Sequence, residues 1–272
     1  MSEMIRRTRE IREQQERDLL APAATRSADS KGRAQPEEPD PYRTAFERDR
    51  DRILHTKAFR RLKHKTQVFI NPEGDHYVTR LTHTLQVTQV GRAMASDLGL
   101  NEPLAEAICL AHDVGHSPFG HTGEDALSPY VNGEWLHSEQ SVRVLSVLEP
   151  SNLSWEVLDG VRAHSWKIDP PPSTPEGMLC RFADRIAYLT HDVDDALRAS
   201  VIRQDDLPEP TLRVFGQPGA KWIDTMINAV VDESLEQGQV EMAPDVLDAM
   251  QVLRDFMFER VYLRRESRPQ QH

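Results

Sequence analysis

Residues 110–124 read "LAHDVGHSPFGHTGE" and gather three histidines, an aspartate and a glutamate into fifteen positions. Imidazoles and carboxylates bind divalent cations and move protons near neutral pH. His112 and Asp113 are neighbours, so on a helix they project about 100° apart and can flank an ion but not enclose it. Further ligands must come from other helices. His83 in "RLTHTLQV" and Asp184 in "CRFADRIAYLTHD" are the candidates, at helical positions on segments with apolar faces. Such a His/Asp set suits Mn, Fe, Co, Ni, Zn or Mg and leaves positions open for water and substrate, a catalytic rather than a closed structural arrangement. Each residue alone has a plainer role, a histidine as a hydrogen-bonded core residue and an aspartate as a cap. The order His, His-Asp, Asp on separate helices is what favours a metal. Cys109 and Cys180 share those faces and read as small core residues.

The elements that must position these groups are helical almost throughout. "AFERDRDRILHTKAFRRL" spaces Phe46, Ile53, Phe59 and Leu62 as a helix does, and "THTLQVTQVGRAMASDLGL" carries Leu85, Val87, Val90 and Met94 before a glycine suited to a C-cap. "EPLAEAICLAHDVG" opens on an acid and Pro103, and "TPEGMLCRFADRIAYLTHDVDDALRA" has Pro175 in its first turn. Helices are also expected in "HSEQSVRVLSVLE", in "SWEVLDGVRAH", and near 220–237 and 244–263. Gly115, Pro118, Gly120 and Gly123 should break the helix after the His-Asp pair, so that His116 and His121 turn back toward the metal. Strand signals are weak, with a small hairpin expected near 66–79 from "TQVFIN" and "DHYVT". The fold class is all-α. A charged helix and an extended linker occupy 1–41, a catalytic domain 42–263 with its metal-site core at 77–200, and a tail 264–272.

The chain has 272 residues, a net charge of −11 and only two cysteines. No apolar run approaches the 18 residues of a membrane span, and no secretory signal opens the sequence, so the cytoplasm is expected. The acidic balance disfavours general attraction to nucleic acid. Residues 42–65 run against it, with nine Lys/Arg and three Asp/Glu. A solvated face of charge pairs is the plainer reading, and a wall facing an anion the alternative. Single-stranded DNA is a weaker partner for that segment, since Tyr42, Phe46 and Phe59 are spaced like core residues.

The pattern resembles the HD-domain phosphohydrolases, whose metal is held by an H…HD…D set, and more narrowly the deoxynucleoside triphosphate triphosphohydrolases of the dGTPase-like branch. The narrower resemblance rests on "HDVGHSPFGHTGE", "WLHSEQSVRVL", "TRLTHTLQV" and "FADRIAYLTHD", with "SADSKGR" and "AFRRLKHKTQVF" upstream. It implies an all-α HD fold and His83, His112, Asp113 and Asp184 as ligands of a divalent metal ion. It places His116 and His121 in the active site, with Glu124 orienting or relaying a proton to His121. It makes His137 a phosphate-side contact, and brings Arg80, Arg185, Tyr188 and Asp192 to the triphosphate and the deoxyribose. Arg60, Arg61, Lys65, Arg80 and Arg185 become candidates for neutralising the triphosphate.

The implied reaction is attack of water at the α-phosphate of a deoxynucleoside triphosphate, releasing deoxynucleoside and tripolyphosphate. A homo-oligomer, hexamer or tetramer, is implied as well. Another HD-type phosphohydrolase is the nearest alternative. Guanosine tetraphosphate hydrolases resemble "HDVVED" where this chain has "HDVGHS", and a nucleotidase has little use for the 116–124 loop. A regulatory module that binds nucleotide with little turnover is the alternative from another class. Further helices are expected after "VLRDFMFERVYLRRESRPQQH", whose end reads as a tail.

Overall fold

Helix α5 (Glu102–Ala111) buries Leu104, Ala105, Ala107, Ile108, Cys109, Leu110 and Ala111 and leaves only Glu102, Pro103 and Glu106 partly exposed. A helix buried over most of its surface needs neighbours on most sides. It has them in α2 (Ala45–His55), α4 (Arg80–Asp97), α8 (Trp155–Ala163) and α9 (Pro175–Arg198). In this computed structural model the described residues are 4–67, 78–131 and 133–262, except the side chain of His121.

Local chemistry sets where the packed helices begin. Asn101 starts α5 by accepting a hydrogen bond from Leu104 N–H at 3.2 Å. Thr79 and Thr82 form a reciprocal capping box at the start of α4. Thr174 accepts from Gly177 N–H at 3.1 Å, with Pro175 next in line, and so opens α9. One face of α9 then buries Leu179, Phe182, Ile186, Leu189 and Val193. The continuous helix expected over residues 45–62 is two helices, because Thr56 adopts an extended conformation, ends α2, and caps α3 (Lys57–Arg61) by accepting from Phe59 N–H at 3.1 Å.

The all-α class holds, with no strand among the described residues. Thr66 and Thr79 meet in one isolated antiparallel bridge, and residues 68–77 of the expected hairpin lie outside the described residues. The break after the His-Asp pair also holds: α5 stops at Ala111 and the next helix, α6, spans Gly120–Leu127. Gly120 begins it at φ +57°, in the left-handed region. Gly123 lies inside α6 and packs on Ser117 rather than breaking the helix. Then comes α7 (His137–Arg143), whose end widens into a π-helical turn at Val144–Leu148. Among the described residues three α-helices follow α9: α10 (Glu209–Phe215), α11 (Lys221–Gln237) and α12 (Pro244–Met257), the last running into a π-helical turn at Phe258–Tyr262. The short α10 has no counterpart in the sequence reading.

The N-terminal helix α1 (Arg9–Leu19) is followed by a segment that the composition marks as a linker. Three buried or half-buried glutamates and one aspartate hold it against the body. Glu16 accepts from the backbone and hydroxyl of Ser27, each at 2.7 Å. Glu176 accepts from Thr25 N–H, Thr25 Oγ1 and Asn101 N–H at 3.0, 2.8 and 3.0 Å. Glu156 accepts from Ser30 Oγ and Lys31 N–H at 2.7 Å each, and Asp49 pairs with Arg33.

Candidate active site

Helices α4, α5 and α9 converge at His83, His112 and Asp184, whose ligating atoms all lie within 4.8 Å of one another. His83 Nε2 is 3.1 Å from Asp184 Oδ1. His112 stands at the end of α5, where its Nδ1 is 2.7 Å from the carbonyl oxygen of Cys109. A carbonyl only accepts, so Nδ1 carries the proton and Nε2 keeps its lone pair. That Nε2 is buried without a hydrogen-bond partner, 3.7 Å from both Asp113 Oδ2 and Asp184 Oδ1. An orphaned imidazole lone pair facing two carboxylates is the donor set a divalent cation takes, and it fits His83, His112, Asp113 and Asp184 as its holders.

Both carboxylates are ionised at neutral pH. Burial alone would push Asp113 up, but the Arg80 guanidinium holds it well below the usual carboxylate range. Burial likewise opposes ionisation of Asp184, and the hydrogen bond with His83 outweighs it. Arg80 Nη1 reaches Asp113 Oδ2 at 2.5 Å, with both side chains about 5% exposed.

The turn after the pair is clamped from outside. Ser141 on α7 donates its hydroxyl to the His112 carbonyl at 2.8 Å and accepts from Gly115 N–H at 2.9 Å. A Cβ at residue 115 would fall 2.2 Å from Ser141 N, so only glycine lets α7 approach this closely. His116 is thereby buried and stacks on His137, ring centroids 4.6 Å apart and 13° from parallel. Burial and then the Arg80 charge hold His116 well below the usual imidazole range. Glu124 Oε1 accepts from His137 N–H at 3.0 Å, lies 2.8 Å from His137 Nδ1, and is 3.9 Å from His116 Nε2. The expected Glu124–His121 pairing lies outside the described residues, because the side chain of His121 does.

The cationic candidates separate by position. Lys65 is half-buried and donates to the Val114 carbonyl at 3.0 Å, and burial lowers its ammonium to about 8 despite nearby Asp113. Arg60 and Arg61 are exposed, and Arg60 folds back on the carbonyls of His55 and Thr56. The rest of the basic 42–65 segment is no wall. Arg43, Arg50 and Arg52 pair with Asp51, Glu106 and Glu37, so much of this segment is the solvated charge-paired face.

Arg185 is buried with its guanidinium 4.0 Å above the Trp166 ring. One turn on, Tyr188 is half-buried and burial raises its phenol to about 12. Asp192 is buried and accepts from Tyr262 OH at 2.6 Å, and burial raises its carboxyl to about 7.

Ser141, His164, Trp166 and Tyr262 were not singled out from the sequence. Ser141 lies within "HSEQSVRVL", where only its place one turn after His137 could have flagged it. His164 and Trp166 sit in "VRAHSWK" at a helix end, and Tyr262 is 70 residues from its partner.

A family model for the HD domain matches residues 80–189. A deoxyguanosinetriphosphate triphosphohydrolase-like protein from Caldanaerobacter subterraneus subsp. tengcongensis is 51% identical over 261 residues, covering 94% of this chain and 76% of the relative. Proteins of the same description from Desulfatibacillum aliphaticivorans and Clostridium perfringens are 49% and 46% identical, covering 93% and 94% of this chain and 77% and 78% of theirs. Among solved structures, a hypothetical protein from Aquifex aeolicus superposes with a TM-score of 0.53 at 21% identity, covering 81% of this chain and 57% of that one. That likeness speaks to the fold alone.

Proposed function

Because the chain belongs to the deoxyguanosinetriphosphate triphosphohydrolase-like family of HD-domain phosphohydrolases, we propose that it hydrolyses deoxynucleoside triphosphates to deoxynucleoside and tripolyphosphate. The observation that carries this reading is the cluster of His83, His112 and Asp184 beside the His116–Glu124–His137 group, within one end of the bundle. In the reaction the oxygen of water bonds to the α-phosphorus and the bond from phosphorus to the 5′-oxygen breaks. The departing 5′-oxygen gains a proton, and the water's oxygen leaves on tripolyphosphate.

A divalent ion held by His83, His112, Asp113 and Asp184 would supply Lewis acidity at the phosphate and a more acidic water. The remaining work falls to side chains. Arg80, Arg185 and Lys65 offer the positive charge for a triphosphate, two of them as planar guanidinium forks that match phosphate oxygens. His116 and His121, on the loop that Gly115 bends inward, are the candidate proton carriers, with Glu124 and His137 behind them. Tyr188 and Asp192 face the deoxyribose in this reading, the aspartate toward the 3′-hydroxyl. A homo-oligomer of hexamer or tetramer size, acting in the cytoplasm with manganese as the first ion to test, completes the proposal.

Product identity tests it. Protein loaded with Mn, Co or Mg is given each dNTP singly and all four together, beside a His112→Ala/Asp113→Ala variant. Deoxynucleoside plus tripolyphosphate from the parent alone is the expected result. Monophosphate or free phosphate would move the protein to another HD-type hydrolase, and absence of turnover with bound metal would make it a nucleotide-binding module.

A further inference from the structure

His164 ends α8 with no exposed surface, and its ring lies between the metal-side and proton-side histidines. It packs edge-on against His112, centroids 5.1 Å apart, and tilted against His137 at 5.2 Å. Its Nδ1 is 2.7 Å from the Val161 carbonyl, and its Nε2 is 3.2 Å from His137 Nε2.

These two distances determine where protons sit. The Val161 carbonyl can only accept, so His164 must carry its proton on Nδ1. A second proton on Nε2 would create an imidazolium with no exposed surface, whose two nitrogens meet a carbonyl and another imidazole rather than a carboxylate. Its Nε2 is therefore a lone pair. Two lone pairs 3.2 Å apart repel, so His137 must donate from its own Nε2. The other nitrogen of His137 faces Glu124 Oε1 at 2.8 Å.

We propose that His164 is a positioning residue for this site: it fixes His137 with a proton on Nε2, so that the His137–Glu124 pair shares one further proton along the Nδ1–Oε1 line. A carboxylate that already accepts from the His137 backbone N–H thus acquires a proton-bearing partner of fixed tautomer and rotamer. The ring of that partner is the surface on which His116 stacks. Without the acceptor at residue 164, nothing holds a proton on His137 Nε2, and the ring is free to turn out of the stack. The catalytic consequence rests on the phosphohydrolase reading above, whereas the tautomer does not.

The test uses full-length protein loaded with a diamagnetic ion, Mg or Zn, and labelled with 15N at its histidines. Wild-type protein is expected to show a protonated Nε2 at His137, and His164→Leu to lose that signal. In the same variant kcat for dNTP hydrolysis should fall about 10- to 100-fold, as is usual for groups that orient a working residue, with KM little changed. His164→Gln, which keeps an acceptor near the Nε2 position, should recover part of both. Metal content, measured by elemental analysis, should stay at the wild-type level in both variants.

An unprotonated His137 Nε2 in the wild type would overturn the proposal, even if the leucine variant fails to fold. So would a leucine variant with wild-type kcat, a loss of metal that matches the loss of rate, or a glutamine variant no better than leucine. If the wild type turns over no dNTP, the functional reading fails and the 15N signals alone decide the role of His164.

Discussion

Tyr262 donates its hydroxyl to Asp192 Oδ2 at 2.6 Å, joining the π-helical turn after α12 to the buried face of α9. The hydrogen bond favours the carboxylate, yet burial dominates and raises Asp192 from 3.8 to about 7. The folded protein consequently holds this proton more tightly than the unfolded chain does. Stability from this group is full below pH 3.8 and is lost as pH rises toward about 7. The total effect is at most on the order of 4 kcal/mol. Asp192→Asn cannot ionise, so its melting temperature should gain on the parent's between pH 5 and 8. Parallel melting curves for the two proteins would contradict this assignment. Tyr262→Phe removes the bond that favours the anion, and should cost about 1 kcal/mol while moving the transition to higher pH.

The orphaned Nε2 of His112 makes a prediction about metal. Removing it by His112→Ala, or removing a charge by Asp184→Asn, should bring bound divalent metal well below the parent's stoichiometry by elemental analysis. A ligand that binds only the folded state raises its stability by mass action. A chelator should therefore lower the melting temperature of the parent and leave that of Asp184→Asn unchanged. An equal response in both proteins would place the metal elsewhere.

The ligand helices were legible because their signals are local. A threonine or asparagine cap, a proline in the first turn and apolar residues three and four apart identify α4, α5 and α9 without any knowledge of the fold. His83, His112, Asp113 and Asp184 stood out by residue type and order. What stayed hidden depends on partners distant in the chain. Arg50 and Arg52 look available for an anion until Glu106 and Glu37 fold against them. Ser141 is an ordinary helix residue until Gly115 is found against its backbone. His164 has the appearance of any core histidine, since only the direction of its ring reveals that it faces His137.

The segment 25–33 gives a prediction that needs no substrate. Glu176 is a buried acceptor of three donors, two of them from Thr25, and burial raises its pKa. Glu176→Ala removes the acceptor altogether and leaves the Thr25 and Asn101 N–H groups unsatisfied, at a cost of roughly 1–3 kcal/mol. The segment contains Arg26, Lys31 and Arg33, so release should be visible as faster trypsin cleavage there. Parent and variant cut at the same rate would show that Glu176 does not hold the segment.

Gly115 carries the sharpest steric prediction. A methyl at this position meets Ser141 N at 2.2 Å, Gln140 C at 2.4 Å and Ser141 Cα at 2.6 Å, all backbone atoms that cannot swing aside. Gly115→Ala must push α7 away from the turn. That breaks both hydrogen bonds of Ser141 and pulls His137 off the ring of His116. Overpacking of this kind costs about 3 kcal/mol, which for a chain of this size lowers the melting temperature by roughly 5 °C. Ser141→Ala loses the two hydrogen bonds but leaves the helix in place, so its loss should be smaller. If Gly115→Ala melts with the parent, α7 does not approach the His112–Asp113 turn as closely as this geometry requires, and the inward course of His116 loses its explanation.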